Sequence, residues 1–260
     1  MRTYFFLLLL LSLLFVGCGS DGGDSGYNSS SQDMIENSSG ISGSKTKFKM
    51  VGDYLYTVNE DVITIIDIAD ASTPIAITRN KIFYEIDTIS SYENYLYIGV
   101  DSEIYIYDKT DPTQLKEISS LSDIESCDPI AVENGIAYIT HNVDSSCGYS
   151  DKSQLEIFDI RDIESPKVIK TVPMWAPSGI AIDNSKLFIC DGDAGLKVYD
   201  VNSSENNGTI EIDIINIQNI DDAVCNDIIA HQNNLILTNS SKITQYDYSS
   251  FPMIKMGSIQ

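Results

Sequence analysis

The chain has 260 residues, 43% of them hydrophobic, which is enough to bury a full core and excludes a chain disordered throughout. Its 38 Asp and Glu against 16 Lys and Arg give a formal charge of -22. A field of that sign excludes nucleic acid as a partner and repels anionic headgroups; it either favours cations and basic proteins as partners or only keeps the protein soluble.

Arg2 precedes an apolar run from Tyr4 to Val16, too short to cross a bilayer and of the length of a signal-peptide core. Residues 1–17 are therefore predicted to be a leader. The run ends in Phe15-Val16-Gly17-Cys18, which resembles a bacterial lipobox, where Leu more often stands at the place of Phe15. The resemblance implies that Cys18 becomes the lipidated first residue of an exported protein, anchored to a bacterial membrane at the outer membrane or cell surface. Acyl chains hold such an anchor stably, at about 0.8 kcal/mol per buried methylene. The other reading is an ordinary secretion signal with an incidental cysteine. Residues 18–44 carry that cysteine and a segment of Gly, Ser, Asp and Asn, a composition that cannot offset chain entropy and reads as a tether with a reach of about 28 Å.

From residue 45 to 260 one pattern repeats. Ile63-Thr64-Ile65-Ile66-Asp67 recurs at Ile104 to Asp108, Leu155 to Asp159, Leu196 to Asp200 and Ile243 to Asp247, and Gln245 alone breaks its apolar alternation. The terminal aspartates are spaced by 41, 51, 41 and 47 residues. Five units then average about 43 residues, in the range of four-stranded propeller blades. Each unit carries an inner strand (Ile89 to Tyr92, Ile130 to Glu133, Ile180 to Asp183, Ile228 to His231) and a second strand after a polar turn. The Asp-terminated strand follows, and a fourth apolar stretch begins near Ile75, Leu115, Val168, Ile210 or Met253. Helical periodicity is absent, and short strands with regular turn signals predict an all-β, five-bladed β-propeller, since radial arrangement protects sheet edges.

The segments 63 to 74, 155 to 166 and 191 to 201 are similar to LVIVD repeats, found in bacterial and archaeal surface proteins. The resemblance covers most of residues 46 to 260 and implies a β-propeller; it carries no catalytic signature. Units two and five depart from its turn pattern, with Leu115 in place of the proline and Pro252 two residues early.

One aspartate repeated five times is expected to shape turns by accepting backbone N–H groups, because a catalyst needs different groups converging once. Function is expected instead on the face carrying the loops that lead into each unit and those between second and third strands. Alignment on the second strand places Thr46, Asp87, Asp128, Ser178 and Asn226 at one position there, with Asp227 beside Asn226. That polar ring at the channel mouth either holds water or, through Asp87 and Asp128, a hard cation such as calcium. Otherwise no cofactor is implied. The insertion Asn142 to Ser153 falls on the same face, as do His141 and Trp175, the only tryptophan, between Pro173 and Pro177. Trp175 either anchors a peptide or sugar or packs between blades. Asp191-Gly192-Asp193-Ala194-Gly195 reads as a tight turn rather than a calcium loop.

Beyond Cys18, an even set of cysteines in an exported chain reads as disulfides, and their places on one face pair Cys127 with Cys147 and Cys190 with Cys225. His141 and His231 lie on opposite sides, and no GxSxG, HExxH or phosphate loop occurs. The sequence therefore predicts a non-enzymatic, membrane-anchored platform that uses an acidic propeller face to bind a protein or glycan. The alternatives are a glycoside hydrolase-like five-bladed propeller using Asp87, Asp128 and Asp227, and a calcium-dependent adhesin.

Overall fold

The computed structural model describes residues 41–43, 47–82, 85–100, 103–122, 129–143 and 152–260. Cys18, Thr46, Cys127, Asp128 and Cys147 lie outside the described residues. After β1 (Ile41–Gly43) the chain forms five antiparallel sheets of four strands, each built from consecutive strands. Blade one is β2 (Phe48–Val51), β3 (Tyr54–Asn59), β4 (Val62–Asp67) and β5 (Ile75–Lys81). Blade two is β6 (Ile86–Tyr92), β7 (Tyr95–Val100), β8 (Glu103–Asp108) and β9 (Lys116–Ser122). Blade three is β10 (Ile130–Glu133), β11 (Ile136–His141), β12 (Gln154–Asp159) and β13 (Lys167–Pro173). Blade four is β14 (Ile180–Asp183), β15 (Lys186–Cys190), β16 (Leu196–Asn206) and β17 (Thr209–Ile220), and blade five is β18 (Asp227–His231), β19 (Asn234–Thr238), β20 (Ile243–Asp247) and β21 (Ile254–Ile259). The arrangement is a five-bladed β-propeller.

Local chemistry sets the blade. First and second strands meet through two-residue turns in which Glu93, Asn134, Gly135, Asn184 and Ser185 have positive φ, the twist that tight hairpins require. The third strand ends in the repeated aspartate. Asp67, Asp108, Asp159 and Asp247 each accept the N–H two residues on, from Ala69, Thr110, Arg161 and Ser249, at 2.7 to 3.1 Å. This is the turn role the repetition predicts. Asp200 differs. Its strand continues to Asn206, the reversal falls at Asn207-Gly208, and Asp200 accepts from Lys186 Nζ at 2.7 Å instead. The long hairpin packs sideways, with Val201 and Ile212 in the core and Lys170 Nζ of blade three donating to the Ile212 carbonyl at 2.8 Å.

Hydrogen bonds hold Asp108, Asp159 and Asp247 below the usual carboxylate range: the Thr110 hydroxyl first for Asp108, the Arg161 guanidinium first for Asp159, the Ser249 amide first for Asp247. A carboxyl whose folded pKa is depressed stabilises the fold above its unfolded pKa and loses that contribution as pH falls through the folded value. Thermal melts of the native chain should therefore drop on acidification below about pH 4. Asp159→Ala should cost about 1 kcal/mol at neutral pH, a partly hydrated turn bond, and should melt with a shallower acid dependence. An unchanged neutral melt would contradict the turn role.

Alternation within the motif decides packing between blades. Its first and third residues point forward to the next blade: Ile63 and Ile65, Ile104 and Ile106, Leu155 and Ile157, Leu196 and Val198 are all 0% exposed. They meet inner- and second-strand residues of the following blade, such as Ile89, Leu96 and Ile98, then Ile130 and Ala137, then Ile180 and Leu187, then Ile228 and Leu235. The last residue of three inner strands also reaches across a seam. Tyr92 Oη accepts the Asn134 N–H at 2.9 Å, Glu133 accepts the Ser185 N–H at 3.0 Å, and Asp183 accepts the Tyr248 hydroxyl.

Four seams, one to two through four to five, carry buried apolar clusters. Between blade five and blade one the corresponding side chains stay exposed: Phe48 and Met50 at 60% and 62%, Ile229 and Ile243 at 45% and 43%. Gln245, the exception in the motif, lies on this uncovered side of blade five and donates to Asn234 Oδ1 at 2.9 Å. Residues 41–43, within the segment read as tether, form β1, which pairs antiparallel with β14 and lies beside the inner strands β6, β10 and β18.

Candidate binding face

The loops leading into blades four and five, and the loop between β15 and β16, form one continuous surface. Cys190 closes β15 and Cys225 precedes β18, and their sulfurs are bonded, with Cα atoms 5.4 Å apart. This is the pairing that their shared face predicts, and it ties blade four to blade five. Ser178 reinforces the tie, since its hydroxyl donates to the Cys225 carbonyl at 3.4 Å and its N–H to the Cys190 carbonyl at 2.8 Å. Gly179 permits the contact. A Cβ there would fall 2.8 Å from the Asp227 Cα and 2.9 Å from the Asn226 carbonyl oxygen, backbone atoms that cannot move aside.

Trp175 stands at the edge of this surface. Of the two sequence readings for it, packing between blades is excluded, because the indole is 70% exposed. The loop beneath it is fixed: one oxygen of the buried Asp191 accepts both the Trp175 and the Ala176 N–H at 2.9 Å. Asp191 opens a 3₁₀ turn, Gly192–Ala194, in which Gly192 (φ 55°) approaches the Ala176 Cβ and Gly195 (φ 76°) lies against Asp221. The glycine-rich run is thus the tight turn its composition predicts. It also places the exposed carboxylates Asp193, Asp221 and Asp222 on the same set of touching loops as Trp175.

The remaining predicted site residues divide. Asn226 is exposed on this surface and its N–H is held by the Thr238 carbonyl; Asp227 is half-buried, one oxygen receiving the Ile228 N–H at 2.9 Å. Asp87 is half-buried at a register shift between Ile86 and Thr88 of β6. His141 ends β11 on the expected face but is buried, with Nε2 3.3 Å from a Glu156 oxygen, so it is not presented for contact as predicted. Among the described residues no group of three His, Cys, Asp or Glu side chains is arranged to hold a metal ion. Sequence reading missed Asp191 as the loop's anchor and the acidic company of Trp175. The signal for the first was present, an Asp directly after a strand and before a glycine; nothing in the sequence joins residue 175 to residue 221.

No family profile and no curated protein matches the chain. Solved structures do match in fold. A protein from Lactobacillus plantarum superposes with TM-score 0.60 at 14% identity, over 79% of this chain and 67% of that one. A functionally unknown protein from Desulfotomaculum acetoxidans gives 0.60 at 11% identity, over 82% and 68%. The periplasmic gluconolactonase of Pseudomonas aeruginosa gives 0.55 at 10% identity, over 80% and 67%. At these identities the likeness is one of fold.

Proposed function

We propose that the protein is an exported, lipid-anchored, LVIVD-type propeller that serves as a non-enzymatic binding platform, and that its contact surface is the Trp175 face. The observation that carries this reading is an exposed tryptophan on a loop whose backbone is pinned by a buried aspartate, in touching loops that bear the exposed carboxylates Asp193, Asp221 and Asp222. Exposing an aromatic ring is ordinarily unfavourable, and presenting one on a loop pinned by two backbone hydrogen bonds favours a docking role. A tryptophan sharing a set of touching loops with exposed carboxylates suits a Lys or Arg side chain, which gains a cation–π contact of about 0.5–1 kcal/mol and charge pairing besides. The net charge of -22 favours the same partner at longer range. The ligand class is therefore a basic segment of another protein, and the tether gives the propeller room to meet it.

Decalysine is a sufficient probe. Calorimetric titration at moderate ionic strength should show Trp175→Ala binding roughly tenfold more weakly than the native chain, about 1.4 kcal/mol, with Trp175→Phe between the two. The melting curve of Trp175→Ala should not move, because the indole packs on little. Equal affinity for all three chains would refute the assignment. The calcium-binding and glycan-binding readings are separated in the same series by adding calcium after EDTA, since a ligand at a hundredfold excess over its Kd raises stability by about 2.7 kcal/mol, and by a glycan screen with Asp87→Asn and Asp227→Asn controls.

A further inference from the structure

We propose that the uncovered seam between blade five and blade one is a docking surface for a second copy of this chain, blade five of one copy seating on blade one of the next. The strand register defines the two faces. On blade one Phe48 lies opposite Thr57, Met50 opposite Leu55, and Leu55 opposite Ile66, so these side chains share the side turned away from blade two. On blade five Ile229 lies opposite Ile236, Ile236 opposite Gln245, and Ile243 opposite Ile259, all turned away from blade four.

These are the two halves of one kind of interface. At every internal seam the first and third motif residues of one blade press on the inner and second strands of the next. Blade five offers the forward half at Ile243, and blade one offers the receiving half at Phe48, Met50 and Leu55. A second copy supplies both complements, so the contact continues a packing that the chain already makes four times. Basic partners are drawn instead to the carboxylates around Trp175, and these sheet faces offer them little.

Size and charge set the strength. Four strands about 4.8 Å apart and five residues at about 3.4 Å each give a sheet face of roughly 330 Å² per partner, about 650 Å² for the two copies, below the size of stable interfaces. Association should be weak, head to tail, and opposed by the like charge of the copies, so added salt should strengthen it.

Sedimentation velocity on the full chain, in detergent so that its apolar N-terminus cannot drive association, tests this. The native chain should show a mass that rises with concentration, and more steeply at higher salt. Met50→Glu and Ile243→Glu each place a charge on an already exposed position, so they should fold normally and weaken association at least tenfold. Mixed in equal amounts they should recover one seam and stop at a one-to-one heterodimer, because Met50→Glu keeps its blade five and Ile243→Glu keeps its blade one. A native chain that stays monomeric at all concentrations overturns the proposal, as does association that survives both substitutions. A mixture that fails to pair while the native chain associates overturns it too.

Discussion

Replacing Cys190 and Cys225 together with alanine should lower stability by about 4 kcal/mol, the chain-entropy value for a crosslink closing a loop of 35 residues. Domains of this kind are stable by only about 5–15 kcal/mol, so the loss is a large share of the total. Both side chains are buried, at 0% and 2% exposure, and alanine adds a small cavity without introducing a polar group. The change should be local as well as global. The bond joins the end of β15 to the loop before β18, and Ser178 depends on the same loops through its contacts with Cys190 and Cys225. Chemical denaturation with and without reductant measures the total, and hydrogen exchange resolves the place. Faster exchange at residues 178 and 226, with blades two and three unaffected, is expected. A reduced chain with an unchanged unfolding midpoint would show that the apolar seam alone binds blade five to blade four.

The second large effect separates two isoleucines that the sequence writes alike. Ile157→Ala removes a fully buried side chain from the seam between blades three and four and should cost about 2–5 kcal/mol, the range for deleting buried aliphatic groups. Ile243→Ala changes the first motif residue of blade five, 43% exposed, and should fall within about 0.5 kcal/mol of the native chain. Ile63, Ile104, Leu155 and Leu196, which hold the same motif place in the other blades, are all 0% exposed. The contrast depends on seams rather than on strands. If Ile243→Ala were as damaging as Ile157→Ala in dilute solution, blade five would have to pack on blade one within a single chain.

The repeat made the architecture readable because its alternation is itself the packing rule. Ile-x-Ile before Asp fixes which residues face the next blade, and the Asp then fixes the turn through the N–H of Ala69, Thr110, Arg161 or Ser249. Gln245 was legible as an anomaly, and its cause became visible only when blade five proved uncovered. Blade four departs from the repeat after Asp200 for a physical reason. Val-Asn-Ser-Ser-Glu-Asn is polar enough to suggest a turn, yet Val201 alone is buried there, and the strand is held by pairing with Ile210 to Ile215 opposite. Short strands at the axis are equally hard to foresee, since Ile41–Gly43 joins β14 through backbone pairing, which composition does not encode.

The site was half legible. Two cysteines at corresponding ends of neighbouring units suffice to place a disulfide once the topology is known, and Cys190 with Cys225 followed. A lone tryptophan between two prolines has no periodicity to show which way it points. The course of its loop is fixed by Asp191, sixteen residues later, and the carboxylates on the touching loops come partly from the segment leading into the next blade. His141 shows the converse: its face was readable and its burial beside Glu156 was not.

Trp175 is the only tryptophan of the chain, so its fluorescence reports on the proposed contact surface alone. The most direct test is the emission and acrylamide quenching of the native chain during a titration with decalysine. The free protein should emit as a water-exposed indole and be quenched readily. Decalysine should shift the emission to shorter wavelength and protect it from quencher, saturably and at the concentrations where calorimetry shows binding. Emission and quenching that stay constant through saturation would place the bound peptide elsewhere and contradict the Trp175 face as the site of recognition.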